Sequence, residues 1–265
     1  MIRFNGLDVQ GETVPDVRFG LSGFASPALR PLYGHEGPSL ARYAEHFGIW
    51  EMECSMRADF DAAAAERVLD QAPATLRLAP RVPMPSPSHD RSGIDAWAGR
   101  LEPILHSRRC GPVSFSWPGP WSMASEASLD ATLGSLWQRL DSGATVAVEF
   151  QDGSWFRGDA LRLLEEHEAC LVWSTRAGLV PYRATGPELY VRLTGQKARR
   201  QDEVAAFVER LRARRHDRPV SVIGTRHQEA YGLHSLERMA RALGRPLWLE
   251  QSEADQATLR AFASA

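Results

Sequence analysis

Thr145-Val146-Ala147-Val148-Glu149-Phe150-Gln151-Asp152-Gly153-Ser154-Trp155-Phe156 is the stretch that decides the fold. It starts as a short run of β-branched and aromatic residues, which predicts a fully buried strand. It closes on a Gly-Ser turn and runs into the helical pattern Arg157-Gly-Asp-Ala-Leu-Arg-Leu-Leu164. Glu149 stands next to last in that strand. A charge taken out of water alone costs several kcal/mol, so Glu149 either has a partner deep in the fold or lines a polar cleft at the strand's end.

Working outward, the same unit recurs. Strands are predicted at 17–21, 49–53, 76–81, 112–116, 145–150, 169–174, 188–193 and 219–225. Most are separated by helical patterns, at 39–47, 61–71, 93–106, 126–140, 157–168, 201–215 and 232–244, and Asp61 is a candidate N-cap. The link from Ser174 to Glu188 is too short and irregular for a full helix, and the proline-rich segment 83–90 reads as loop. Strand-helix alternation implies parallel strands with right-handed crossovers. Eight strands in one chain of 265 residues favour an α/β fold of the TIM (β/α)8 type, as a single domain, over an open doubly wound sheet. No G-x-G-x-x-G follows the first strand, which speaks against dinucleotide binding. The barrel spans 17–245; residues 1–16 form an N-terminal extension and 246–265 an extra strand and helix packed on the barrel.

Composition narrows the class. With 43% hydrophobic and 24% charged residues and a net charge of −2, the chain has an ordinary globular balance that selects neither a nucleic acid nor a membrane surface as partner. Cys54, Cys110 and Cys170 are far apart and lack metal-ligand spacing, so a reduced, cytoplasmic compartment is expected. No apolar run approaches the roughly 20 residues of a membrane span.

The alternation of side chains along each strand sorts the strand ends. Glu51 and Glu53 face away from Trp50 and Met52; Glu149 faces away from Val148 and Phe150; Tyr190, Arg192 and Thr194 oppose Val191 and Leu193. The apolar sets should pack on outer helices, which turns the charged sets inward near the C-terminal mouth, where TIM-barrel active sites lie. Arg81 ends the third strand in the same way. The expected lining is three carboxylates and two guanidiniums; the competing reading is a self-satisfied ion-pair network without chemistry.

A second candidate lies in the basic, glycine-containing loops after the seventh and eighth strands. Thr194, Gly195 and Lys197 stand in one, and Thr225, Arg226 and His227 in the other. TIM barrels often bind phosphate at these two loops. Lys197 is the only lysine among 31 basic residues, which places it where such a site would use it. Trp117 and Trp121 offer faces that can stack a sugar or base. No cofactor is predicted. A divalent metal held by Glu51, Glu149 and His89 or His227 is the weaker alternative, since no H-x-x-x-H spacing supports it.

The run Val148-Glu-Phe-Gln-Asp-Gly-Ser-Trp-Phe156 closely resembles the Glu-Phe-Arg-x-x-Ser-Trp signature of the YecE-like proteins, a family built on domain of unknown function 72. Further matches follow in order: Phe19-Gly-Leu-Ser-Gly23, Tyr43-Ala-Glu-His-Phe47 before Glu51, Gly111-Pro-Val with Pro118, and Tyr190-Val-Arg-Leu-Thr-Gly195. The resemblance implies a TIM barrel and brings no established activity. It also marks departures, which identify a divergent member. Glu53 replaces the usual asparagine, Met56-Arg57 an aromatic pair, and Arg81 a lysine. Gln151 stands for the signature arginine, Thr194 for a histidine and Gly224-Thr225 for an asparagine pair. Glu51, Glu149, Ser154, Trp155 and Arg192 are retained.

The leading expectation is an enzyme (hydrolase, lyase or isomerase) acting on a small polar, phosphorylated or sugar-like substrate. Glu149 and Glu51 are the candidate acid/base groups, and Arg192 and Arg81 the groups that hold charge. Glu53, Trp117, Ser154, Trp155, Tyr190, Thr194, Gly195, Lys197, Thr225, Arg226 and His227 are the candidate substrate-binding residues. The alternative is a barrel that keeps a ligand pocket and has lost its chemistry.

Overall fold

Short apolar strands that each feed an amphipathic helix bury both faces when they close into a ring with the helices outside. The computed structural model follows that logic; it describes residues 16–25, 29, 33, 37–83, 91–140, 144–175, 183–194, 201–214, 218–225, 229–243 and 247. The strands are β1 (Val17–Leu21), β2 (Ile49–Met52), β3 (Arg77–Pro80), β4 (Val113–Trp117), β5 (Val146–Phe150), β6 (Cys170–Ser174), β7 (Leu189–Leu193) and β8 (Val220–Gly224). Among the described residues the helices are α1 (Leu40–Ala44), α2 (Ala62–Gln71), α3 (Arg91–Leu105), α4 (Met123–Trp137), α5 (Gly158–Glu166), α6 (Gln201–Arg214) and α7 (Glu229–Ala242). None is long and apolar enough to cross a membrane.

All pairings are parallel, in the order β3-β2-β1-β8-β7-β6-β5-β4. Isolated bridges, Leu78 with Cys110 and Arg81 with Ser114, join the two end strands and make a nearly closed barrel. The N–H groups of Gly111 and Val82 reach across that seam to the carbonyls of Leu78 (2.6 Å) and Ser114 (2.9 Å). One strand away from the seam, β1 and β2 approach so closely that a Cβ on Gly20 would sit 1.9 Å from the Ile49 carbonyl oxygen, so only glycine fits. Tyr43 bridges the two strands there: its hydroxyl accepts from Leu21 N–H (2.8 Å) and donates to the Ile49 carbonyl (2.9 Å).

The wall separates two apolar sets. Val146, Val148 and Phe150 belong to the large outer core, together with Leu129 and Leu133 of α4 and Leu161 and Leu164 of α5. Ile49, Ala79, Ala147, Cys170, Val172, Tyr190 and Ile223 form a small inner cluster. Glu149 therefore points into the barrel, as the alternation requires. The end of helix α1 and its link to β2 differ from expectation by a few residues, and α4 starts at Met123, earlier than the periodicity shows. There Ser122 and Ser125 form a reciprocal capping box built on two serines, in place of the usual acidic partner. Of the terminal extensions, residues 1–15 lie outside the described residues, as does most of 246–265; Leu247 packs against the outer core.

Candidate functional site

Each inward position two residues up a strand begins a new layer of the barrel interior. The layer above the inner apolar cluster is polar: Glu51 from β2, Arg81 just past β3, Ser116 from β4, Glu149 from β5 and Arg192 from β7. All come from strand ends, held in register by the ladder that sets Ser116 beside Glu149 and Ser174 beside Arg192.

Their side chains form one connected network. Arg192 donates from Nη1 to Glu149 Oε2 and from Nη2 to Glu51 Oε1 (3.1 Å). Tyr190 donates to Glu51 Oε2 (2.8 Å), which Ser114 also approaches at 3.4 Å. Arg81 Nη2 donates to Ser116 Oγ (2.8 Å), and that hydroxyl donates to Glu149 Oε2 (3.0 Å). Arg81 Nη1 lies 3.6 Å from Glu51 Oε1, an ion pair beyond hydrogen-bond length. Glu51 is 0% exposed, Glu149 4%, Arg192 7% and Arg81 8%.

Two asymmetries follow. Both oxygens of Glu51 are occupied, whereas among the described residues every bond to Glu149 falls on Oε2 and none on Oε1. The guanidiniums carry five N–H donors each, and Arg81 Nε, Arg81 Nη1 and Arg192 Nε are buried without a hydrogen-bond partner. Two carboxylates balance the charge of two guanidiniums but do not reach all of their donors.

The electrostatics match this geometry. Burial works to raise the Glu51 carboxyl; the Arg192 and Arg81 guanidiniums and the Tyr190 hydroxyl outweigh it and hold the group below the usual carboxylate range. Burial and the neighbouring Glu51 push the Tyr190 phenol well up, so it stays a donor. Burial alone would lower Arg192, but Glu51 and Glu149 raise it, so its charge is permanent.

The backbone behind Arg81 is braced by a residue the sequence reading did not single out. Ser55, in a 3-10 turn at Glu53–Met56, accepts from Arg81 N–H (2.9 Å) and donates to the Met52 carbonyl (2.6 Å). That turn corrects one expectation. The second strand ends at Met52, so Glu53 does not continue the inward face; it lines a neighbouring apolar cavity with Trp50 and Phe60. The charged layer holds two carboxylates, not three.

The aromatic expectations also move. Because β4 runs on through Trp117, that residue shares the outward parity of Phe115 and packs edge-on against Trp155 (centroids 6.3 Å). Trp155 is fully buried, stacks on Phe150 (4.9 Å, 12°) and donates to the Gly119 carbonyl (3.0 Å). Ser154 Oγ accepts from Trp121 N–H (2.8 Å) and donates to Asp152 (2.6 Å). The Ser-Trp signature thus pins the loop after β4 to the loop after β5 and steadies the strand ends that carry Ser116 and Glu149. Trp121 carries the Arg157 guanidinium 3.6 Å over its ring.

In the second candidate region, Thr194 Oγ1 meets Ser174 Oγ (3.0 Å), and Thr225 Oγ1 donates to the Leu193 carbonyl (3.1 Å). Gly195, Lys197, Arg226 and His227 lie outside the described residues, and so does His89. No group of three His, Cys, Asp or Glu among the described residues is placed to hold a metal ion. The donor set itself is a poor fit, since Glu51 has no oxygen to spare.

Comparison with known proteins adds a family. No curated protein matches the chain. Among solved structures, a DUF72 family protein of Enterococcus faecalis V583 aligns with a TM-score of 0.71 at 16% identity, over 89% of this chain and 99% of that one. A DUF72 family protein of Thermotoga maritima MSB8 aligns with a TM-score of 0.66 at 16% identity, over 87% and 100%. At such identities the likeness concerns the barrel fold. The family model described as "Protein of unknown function DUF72" matches residues 18–258, nearly the whole barrel. The chain belongs to the DUF72 family, the one that its YecE-like signature indicates.

Proposed function

We propose that the chain is an enzyme that binds a small anionic substrate at the C-terminal mouth of the barrel and moves a proton on it. The observation that carries this reading is the surplus of buried guanidinium donors: Arg81 Nε and Nη1 and Arg192 Nε have no acceptor. Buried polar groups are nearly always paired, and guanidiniums match the paired oxygens of carboxylate and phosphate. A ligand oxygen entering the layer would supply what the cluster lacks.

Roles divide according to the two asymmetries. Arg81 and Arg192 hold the anion. Glu51, saturated and kept ionised, fixes both guanidiniums. Glu149 has one oxygen unengaged among the described residues and is the proton acceptor, which is the common requirement of hydrolase, lyase and isomerase chemistry. Lys197, Thr225 and Arg226 belong to the proposal as a second anion contact suited to a phosphorylated substrate.

The test is a ligand screen by thermal melting with phosphate, sugar phosphates and small carboxylates. A ligand that binds only the native state raises the melting temperature. The expected result is a rise for at least one anion class that disappears in Arg81→Met. No rise from any anion at millimolar concentration would remove the proposal. A rise without turnover of any ligand would favour a non-catalytic binding barrel, the reading to which the departures at Glu53, Gln151 and Thr194 lend support.

A further inference from the structure

Beside the charged layer, between the upper ends of β1, β2 and β8, lies a cavity of about 300 Å³. That is the lower end of the range of small-molecule pockets. Its walls are Phe24, Leu29, Trp50, Cys54, Phe60 and Val68. Burial pushes the Cys54 thiol up to about 11, so this sulfur is a neutral, unreactive part of the wall at neutral pH. Phe24 meets Trp50 edge-on, with centroids 4.9 Å apart and planes at 82°, so the wall is aromatic on this side.

A second observation points to what the cavity takes. Trp50 is 4% exposed, and its indole N–H has no hydrogen-bond partner. Trp117 and Trp137 share that lack but do not line the cavity. An unpaired indole donor beside an apolar cavity asks for an acceptor that arrives with an apolar ligand. Part of the cavity wall belongs to the same upper end of the barrel as the charged layer. Ser22 and Thr225 line it, and they stand at the upper ends of β1 and β8; Thr225 is bonded to the Leu193 carbonyl, one residue beyond Arg192.

We propose that the ligand is amphipathic: an anionic group held by Arg81 and Arg192, carrying a flat apolar or aromatic arm that fills this cavity and offers an acceptor to the Trp50 indole N–H. The anionic half rests on the function proposed above; the cavity half does not. Glu53 at the cavity edge disfavours a second negative charge on the arm, so the arm is neutral.

The experiment uses the full chain labelled with 15N-tryptophan, in which Trp50→Phe assigns the Trp50 indole resonance. Three probes are titrated: 2-acetonaphthone (a neutral arene with an acceptor), acetate (an anion alone) and 6-acetyl-2-naphthoate (both). The expected result is a saturable Trp50 shift with 2-acetonaphthone that persists in Arg192→Met. In addition, 6-acetyl-2-naphthoate should bind at least about tenfold tighter than either half probe, the gain of one well-made interaction. Trp50→Phe, which keeps the ring but removes the donor, should weaken 2-acetonaphthone about tenfold. Absence of any Trp50 shift with 2-acetonaphthone overturns the cavity assignment whatever acetate does. If 2-acetonaphthone binds and 6-acetyl-2-naphthoate gains nothing over it, the two sites do not serve one ligand and the proposal fails. If acetate binds nowhere while 2-acetonaphthone saturates, the anionic reading fails and the cavity stands alone.

Discussion

The barrel buries carboxylates at both of its ends, and it treats them in opposite ways. In the upper layer Glu51 lies among two guanidiniums and a phenol, which hold it below the usual carboxylate range. In the lower layer Glu188 is bonded to the Ser221 hydroxyl, and burial outweighs that bond and the pull of Arg77 and Arg18 and raises it. The lower arginines are committed elsewhere: Arg18 pairs with Asp16, and Arg77 donates to the Cys110 carbonyl (2.6 Å). Equal burial therefore does not mean equal chemistry. A carboxylate in direct contact with guanidiniums stays charged, and one that merely lies near them drifts towards its neutral form. The upper layer holds charge in place; in the lower one no charged group among the described residues pairs with Glu188 to do so.

Substitutions can break that contrast, and the largest effect belongs to the upper layer. Arg192→Met should cost about 3–5 kcal/mol in urea melts, because Glu51 and Glu149 both lose their buried counter-charge. Arg18→Met, at the partly exposed lower pair, should cost less than about 1 kcal/mol. Equal losses would dissolve the distinction. Next comes Tyr190→Phe, which strips a donor from the buried Glu51 carboxylate and should cost about 1–3 kcal/mol, read by the same melts. A smaller effect is expected for Glu149→Gln. Arg192 keeps Glu51, so stability should stay within about 1 kcal/mol of wild type while ligand turnover is lost. A loss of about 3–5 kcal/mol would make Glu149 a structural counter-charge and remove it as proton acceptor.

The smallest effect sharpens the lower layer and shows in the pH dependence. Glu188 binds its proton more tightly folded than unfolded. Its contribution is present below the unfolded carboxylate pKa and is lost as pH rises through the folded value. Glu188→Gln should therefore gain less than about 1 kcal/mol at neutral pH and nothing in acid. Glu51 runs the other way: its contribution is present at neutral pH and is lost as pH falls below the ordinary carboxylate range. Melts of wild type and Glu188→Gln across pH 3 to 8 check the sign; a gain that grows in acid would contradict it.

How much of this was legible in the sequence depends on the range of the interaction. The barrel was legible, because each strand carries its own two-faced pattern and each helix its own period. So was the inward direction of Glu149, Arg192 and Tyr190, which needs only parity along one strand. Parity failed where the strand boundary lay elsewhere. Glu53 fell off the inward face because Ser55 captures the Met52 carbonyl and turns the chain, and Trp117 turned outward because β4 ends one residue later and includes it. The Ser-Trp signature was visible as a motif, but its bracing contact with Gly119 joins residues 36 apart, which no local pattern displays. The unpaired donors at Arg81 and the cavity beside Trp50 arise from three or more strands at once. They became readable only after the ring had closed.

The direct measurement of the mouth is made on the arginine side chains themselves. In protein labelled with 15N-arginine, Arg81→Lys and Arg192→Met assign the two Nε–H resonances, and phosphate and small carboxylates are then added to the wild type. If the unpaired guanidinium donors are an anion site, both resonances move saturably with one of these anions and the Arg18 resonance does not. If neither Arg81 nor Arg192 responds to any anion at millimolar concentration, the upper layer is a closed ion-pair network and the assignment of the site to a substrate is wrong.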